Sequence, residues 1–247
     1  MRRRHELIPS RAMGRRINVW CYGHWGTPLM VFPTAAGFAH EWDAQGMLED
    51  LAPLIYGGKI KLYCPESNVS EALTAKEGDP AHRIHRYRVY EDFVLSELVP
   101  WIRQDCGDPA ARIAATGASL GGLYAANFAL KFPETFFWAL CMSGRYEVSQ
   151  FLGGFANADV YFNSPLAFVP NLQGEHLERV RRNTHIVLVC GQGPWEEGCI
   201  EETIALGQIF AAKGISHERD IWGHDVSHNW AWWKRQAVYH LGKAFGG

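Results

Sequence analysis

The sequence predicts an α/β fold in which a mostly parallel central sheet carries helices on both faces. Two observations support this prediction. Short apolar runs such as Leu29–Phe32 and Phe136–Met142 have the length and composition of buried strands, and longer segments with helical spacing lie between them. Such alternation is typical of parallel sheets, because each crossover helix returns the chain to the same edge of the sheet. The length of 247 residues suits one domain over residues 1–247.

Each element is predicted by its own pattern. Apolar runs bounded by turn residues predict strands at Ile17–Tyr22, Leu29–Phe32, Ile60–Tyr63, Ile113–Thr116, Phe136–Met142, Ile186–Cys190 and His217–Trp222. Helical spacing of apolar residues predicts helices at Tyr90–Cys106, from residue 120 to near Pro133, at Glu197–Lys213 and at Trp230–Leu241. We expect Pro100 to kink the first helix and Gly214 to cap the third. Residues 144–183 are rich in aromatic residues and glycine and predict no regular element.

The composition excludes several classes of partner. The formal net charge is -2 and the pI is near 6.6, so there is no basic excess that would attract nucleic acid. No apolar run reaches the roughly 18 residues of a membrane span, and no apolar segment follows the charged start Arg2–Glu6. Six scattered cysteines are typical of reduced thiols. We therefore expect a cytoplasmic protein that acts on a small molecule without nucleic-acid or membrane partners, while no pattern indicates an oligomeric state.

The segment Gly117–Gly121 has the pattern G-x-S-x-G of a nucleophile elbow, with Ser119 at its centre. A predicted strand ends at this segment and a helix rich in small residues begins there, which is the context that the motif requires. The flanking glycines leave room for neighbouring backbone, and the start of the helix favours negative charge that develops near the serine. These features predict that Ser119 is a nucleophile.

A serine nucleophile needs a histidine base and a carboxylate that orients the histidine. His224 and His228 both lie between the last predicted strand and the last helix, where the base belongs in the chain order Ser, acid, His. The aromatic cluster that begins at Trp230 directly follows His228 and favours it as the base. For the acid, Glu196 and Glu197 follow the strand Ile186–Cys190, and Glu201 and Glu202 lie one turn further on.

These segments together resemble the esterase D-like branch of the α/β-hydrolases, which includes S-formylglutathione hydrolases, feruloyl-type esterases and mycolyltransferases. The likeness extends over roughly residues 13–241. The segments that carry it are Met13–Val19, Tyr90–Pro100, the elbow Gly117–Gly121, Met142–Gly144, Cys190–Glu197 and the spacing His228-x-Trp230-x-x-Trp233. The resemblance implies an α/β-hydrolase fold without a large cap domain.

The resemblance also implies particular roles. It favours His228 as the base, and an alignment without gaps to the mycolyltransferases places the acid at Glu197. The oxyanion hole would be formed by the amides of Leu120 and Ala35, with Ala36 close behind in the same turn. We therefore expect a carboxylic ester hydrolase that forms an acyl-enzyme on Ser119.

Alternatives remain open at this stage. The same triad could transfer the acyl group to an alcohol, and an inactive protein of this fold could serve as a binding module. The spacings His224-Asp225-x-x-His228 and His82-x-x-His85 could suit a metal ion, but no H-E-x-x-H motif or cysteine pair accompanies them. We expect no cofactor and no metal.

Overall fold

Eight strands form one central sheet in the computed structural model, which describes residues 1–247. The order across the sheet is β1-β2-β4-β3-β5-β6-β7-β8. The pairs β1/β2 and β2/β4 are antiparallel, and every other neighbouring pair is parallel. The strands are β1 (Arg3–Ser10), β2 (Arg15–Tyr22), β3 (Thr27–Phe32), β4 (Ile60–Pro65), β5 (Ile113–Ala118), β6 (Phe136–Met142), β7 (His185–Cys190) and β8 (His217–Ile221). The predicted α/β class and its mostly parallel sheet are confirmed.

Eleven α-helices connect or follow these strands. They are α1 (Glu41–Ala44), α2 (Met47–Asp50), α3 (Ala52–Tyr56), α4 (Pro80–Phe93), α5 (Val99–Cys106), α6 (Leu120–Lys131), α7 (Ala158–Asn163), α8 (Pro165–Phe168), α9 (Gly174–Asn183), α10 (Cys199–Lys213) and α11 (Trp230–Phe245). Residues 144–183, which predicted no element, hold only α7 to α9 and short 3₁₀ turns, so no large cap domain is inserted. No helix combines the length and the apolar character that a membrane crossing requires.

The sheet separates two hydrophobic clusters, because successive side chains of a strand point to opposite faces. In β3, Met30 and Phe32 belong to the larger cluster, whereas Leu29 and Val31 belong to the smaller one. The larger cluster includes residues of α4 and α6, and the smaller one includes residues of α11. All four β3 side chains are buried, as expected for a central strand of a parallel sheet.

Several boundaries differ from the sequence prediction. The strand β1 was not predicted, because ionisable residues fill its first half and every second residue is exposed, as suits a strand at the edge of a sheet. The first long helix begins at Pro80 rather than Tyr90, and a π-helical turn at Val94–Leu98 precedes the segment that contains Pro100. Proline has no N–H to donate, and the wider turn accommodates that loss. Gly214 ends α10 in the left-handed conformation, as predicted.

The start of α6 is in close contact with the end of β3. A Cβ atom on Gly121 would clash with the carbonyl oxygen of Phe32 and lie 2.9 Å from that of Pro33. Only a residue without a side chain lets the helix approach this backbone. The contact holds the first turn of α6, which follows Ser119, beside the loop that follows β3.

We predict that Gly121→Ala lowers the free energy of unfolding by about 2–3 kcal/mol, because backbone atoms on both sides must move. Gly242→Ala is the matched control, since Gly242 lies in α11 with open space around its Cα. There the added methyl group should raise stability by up to about 1 kcal/mol. Urea unfolding of both variants measures the difference, and equal stability of the two variants would show that the contact is not close-packed.

Candidate active site

Four loops meet at the carboxyl edge of the sheet, where β5 to β8 end side by side. Ser119 directly follows β5, and Ser143 directly follows β6. Glu196 lies in the loop after β7, and His228 in the loop after β8. The crevice at the carboxyl ends of parallel strands is the usual position of a site in open α/β sheets.

Ser119 has the backbone conformation of a nucleophile elbow. Its φ is 57° and its ψ is -124°, a strained combination for a residue with a side chain. The Ser119 N–H donates to the carbonyl of Met142 over 2.8 Å, which ties the turn to the neighbouring strand β6. On the other side, a Cβ on Gly117 would clash with the backbone of Gly121. The turn thus exists because both flanking positions are glycine.

Glu196 is the buried carboxylate of the site, with only 1% of its surface exposed. The hydroxyl of Ser143 donates to Glu196 Oε1 over 2.6 Å, and His228 Nδ1 lies 3.1 Å from Glu196 Oε2. The thiol of Cys190 donates weakly to the same Oε2 over 3.4 Å. These three donors compensate the loss of solvation that burial of a carboxylate entails.

The structure brings Glu196, rather than the predicted acid Glu197, into contact with His228. Glu197, which the gapless alignment favoured, is exposed, and its neighbour Glu196 points inward to His228. The physical reason is the turn Gly193–Glu196, in which Trp195 takes a φ of 70° and the Glu196 N–H donates to the Gly193 carbonyl. A bulky residue rarely adopts this conformation, so the sequence did not indicate the turn.

Backbone and aromatic contacts fix the position of His228. Its N–H donates to the carbonyl of Pro194 over 3.1 Å, which joins the loop after β8 to the loop that carries Glu196. The rings of Trp233 and His228 form an edge-to-face pair at a centroid distance of 4.8 Å. The indole Nε1 of Trp233 donates in turn to Ser143 Oγ over 3.0 Å. His224, the other candidate, is exposed.

The ring of His228 forms its hydrogen bonds through Nδ1, to Glu196 and more weakly to Cys199 Sγ at 3.9 Å. A proton on Nδ1 leaves Nε2 as an acceptor. Ser119 Oγ and His228 Nε2 are not hydrogen bonded in this structure. Catalytic hydrogen bonds are often long before substrate binds, so this geometry is compatible with a base at His228.

The loop after β3 begins where the backbone of Phe32 and Pro33 contacts the start of α6. Among residues 34–37, the Thr34 N–H donates to Glu41, the Ala36 N–H lies 3.3 Å from Thr34 Oγ1, and the Gly37 N–H donates to the Thr34 carbonyl. The Ala35 N–H has no partner in the protein. Leu120 is the first residue of α6, and the N–H of a first helical residue has no partner within its helix.

Two groups of side chains have ligand atoms close enough for a metal ion. The first group is Glu196, Cys199 and His228, and the second is Glu218, Asp220 and His240. In the first group burial raises the pKa of the Cys199 thiol to about 12, so the thiolate that a metal prefers is disfavoured. The second group is already paired internally and with Lys243 and Trp222. The sequence spacing suggested that His224 and Asp225 could bind a metal ion together with His228, but these two residues belong to neither group.

Sequence reasoning missed two contributors to this edge. The sequence places Ser143 only at the end of a strand, yet its buried hydroxyl joins Glu196 to Trp233, and its backbone takes a φ of 48°. The sequence gives no sign of the contact between Glu41 and Thr34, because a glutamate in an irregular loop has the pattern of an exposed residue. Position alone could have indicated Ser143, since it follows the strand adjacent to the one that carries Ser119.

Comparison with known proteins finds a matching family and similar proteins. A family model described as "Putative esterase" matches residues 56–243. The diacylglycerol acyltransferase/mycolyltransferase Ag85B of Mycobacterium leprae is 26% identical over 271 aligned positions, covering 93% of this chain and 79% of that protein. The alignment therefore extends over nearly the whole of this chain.

Solved structures extend the comparison to the whole chain. A ferulic acid esterase superposes with a TM-score of 0.75 at 15% identity, covering 99% of this chain and 98% of that chain. An S-formylglutathione hydrolase from Staphylococcus aureus superposes with a TM-score of 0.72 at 12% identity, covering 98% of this chain and 96% of the other. The predicted resemblance and the α/β-hydrolase fold are confirmed. The chain belongs to the putative esterase family and is an esterase of the α/β-hydrolase fold.

Proposed function

We propose that this protein is a serine hydrolase that cleaves carboxylic esters of small molecules through an acyl-enzyme, with Ser119, His228 and Glu196 as its triad. The observation that carries the proposal is the hydrogen bond between the buried Glu196 and the half-buried His228, at the same edge of the sheet as a serine on a positive-φ elbow. If Ser119 were only part of an ordinary glycine-rich turn, the fold would have no need of a buried carboxylate paired with a histidine. Such a pair is expensive to bury and is typical of a site that moves protons.

In the first half of the reaction Ser119 Oγ attacks the ester carbonyl carbon. His228 Nε2 takes the hydroxyl proton as the new C–O bond forms, and the carbonyl electron pair moves to its oxygen. Collapse of this tetrahedral intermediate breaks the bond to the alcohol, which leaves with the proton from His228. Water then attacks the acyl-enzyme by the same route and regenerates the Ser119 hydroxyl.

Glu196 supports this proton transfer without moving a proton itself. Its Oε2 holds the Nδ1–H tautomer, which directs Nε2 outward, and its charge stabilises the imidazolium that forms during attack. The hydroxyl of Ser143 and the indole of Trp233 keep the carboxylate and the ring from rotating. In this proposal Glu196 takes the role of the triad acid that the sequence analysis expected for its neighbour Glu197.

The developing oxyanion would be held by the amides of Leu120 and Ala35. The Ala35 N–H is without a partner in its turn, and Leu120 lies at the N-terminus of α6, where the helix dipole also favours negative charge. Each such donor contributes on the order of 3 kcal/mol to lowering the barrier. Ala36 is the alternative donor in the turn, since it gives up only a 3.3 Å contact with Thr34 Oγ1.

Acyl transfer to an alcohol is the second candidate function, and one observation favours it. The relative from Mycobacterium leprae is named as an acyltransferase and aligns with 93% of this chain. The same triad serves both reactions, because only the group that attacks the acyl-enzyme differs. The ratio of glyceryl ester to free acid formed from a p-nitrophenyl ester in the presence of glycerol distinguishes the two.

We predict that Ser119→Ala lowers kcat for p-nitrophenyl acetate and butyrate by at least about 1000-fold, because the nucleophile is lost. A fluorophosphonate should label wild type on the peptide that contains Ser119 and should not label the variant. Hydrolysis rates and mass spectrometry measure both. A wild-type protein that neither reacts with the probe nor turns over these esters would favour the inactive binding module.

We predict that Glu196→Gln lowers kcat by at least about 100-fold, because the amide no longer orients the Nδ1–H tautomer. Glu197→Gln is the matched control on the adjacent residue, whose side chain is exposed, and should remain within about threefold of wild type. Steady-state kinetics on p-nitrophenyl butyrate measure both variants. A larger loss for Glu197→Gln than for Glu196→Gln would move the acid back to the position expected from sequence.

A further inference from the structure

Glu41 is a buried carboxylate that makes its contacts next to the proposed oxyanion hole. It is the first residue of α1, follows the loop after β3, and is 7% exposed. Its two oxygens accept hydrogen bonds from one residue: Oε2 from the Thr34 N–H over 2.7 Å and Oε1 from the Thr34 hydroxyl over 2.8 Å. This bidentate contact joins the two ends of the loop 34–41.

The contact accounts for the pattern of amides in the turn. With its proton donated to Glu41, Thr34 Oγ1 presents its lone pairs to the Ala36 N–H. The Thr34 carbonyl accepts from the Gly37 N–H over 3.1 Å, and the Gly37 carbonyl accepts from the Ser67 N–H over 2.9 Å. The turn is therefore held at both ends, and Ala35 is the residue whose N–H stays unpaired.

We propose that Glu41 is a positioning residue that fixes the turn 34–37 so that its free amide faces the oxyanion formed on Ser119. This inference rests on the proposed function, because it concerns the same oxyanion hole. Glu41 acts through Thr34 and touches neither substrate nor the reacting atoms.

The electrostatics agree with a role beyond filling space. Burial raises the pKa of the Glu41 carboxyl, and the two hydrogen bonds from Thr34 oppose that rise. A buried acid that makes hydrogen bonds only to one loop residue is a costly way to stabilise a fold. Its hydrogen bonds instead give the loop a single conformation, as a preorganised donor requires.

The test compares Glu41→Ala, Glu41→Gln and Thr34→Val with wild type. Active sites are first titrated with a fluorophosphonate, and kcat per titrated site and KM are measured with p-nitrophenyl butyrate. The inhibition constant of phenylboronic acid, which forms a tetrahedral adduct on a serine hydroxyl, reports the oxyanion hole. Glu91→Ala is the control, since Glu91 is a buried carboxylate on α4 that pairs with Lys131.

We expect Glu41→Ala and Thr34→Val to lower kcat per site by at least about 10-fold, with KM changed less than about threefold. The boronic acid should bind more weakly by a similar factor. Glu41→Gln keeps an acceptor for the Thr34 N–H and should recover activity to within about fivefold of wild type. Glu91→Ala should lower the Tm but leave kcat per site unchanged.

Unchanged kcat per site and unchanged boronic acid binding in Glu41→Ala, or in Thr34→Val if the first variant does not fold, would overturn the proposal. A Glu41→Gln variant as impaired as Glu41→Ala would also overturn the proposal. The hydrogen bond that glutamine can still accept from Thr34 would then not be what supports activity. A wild type that neither reacts with the fluorophosphonate nor turns over ester would instead remove the proposed function itself.

Discussion

The buried carboxylate of Glu196 is the constraint around which the active edge is arranged. A charge with 1% exposure survives only where donors surround it, and here the donors come from three separate loops or strands. Ser143 reaches it from the end of β6, Cys190 from the end of β7, and His228 from the loop after β8. The conformations of these segments are therefore coupled, because displacement of any one would leave the carboxylate incompletely paired.

The fold supplies this coupling by ending parallel strands at one edge. Glycines at 117 and 121 bring the elbow against β3, and the hydrogen bond from Ser119 to Met142 ties it to β6. The Pro194 carbonyl accepts the His228 N–H, so the loops that carry Glu196 and His228 also share a backbone contact. Glu41 plays a similar part in our account on the other side of Ser119, where it holds the oxyanion turn through Thr34.

Much of this architecture could be predicted from local patterns. The strand β6 was predicted at Phe136–Met142 as observed, since a continuous apolar run identifies a strand buried on both faces. The elbow was predicted because its glycines have a steric cause that the sequence displays. The sequence favoured Glu197, one residue beyond the glutamate that contacts His228, because the turn depends on a positive φ at Trp195, which a bulky residue rarely adopts. Ser143 depends on contacts between segments far apart in the chain, which no local pattern reports. Glu41 depends on the irregular path of the loop 34–41, which brings it back to Thr34 and has no periodic pattern. The edge strand β1 was missed because its charged residues hide the alternation.

The central claim is that Glu196 holds the Nδ1 proton of His228, and proton NMR tests it most directly. We predict an exchangeable resonance far downfield in the wild-type spectrum, arising from the His228 Nδ1–H that is shared with the buried carboxylate. It should disappear in Glu196→Gln and persist in Glu197→Gln. A wild-type spectrum without such a resonance, or one in which it survives Glu196→Gln, would contradict the account.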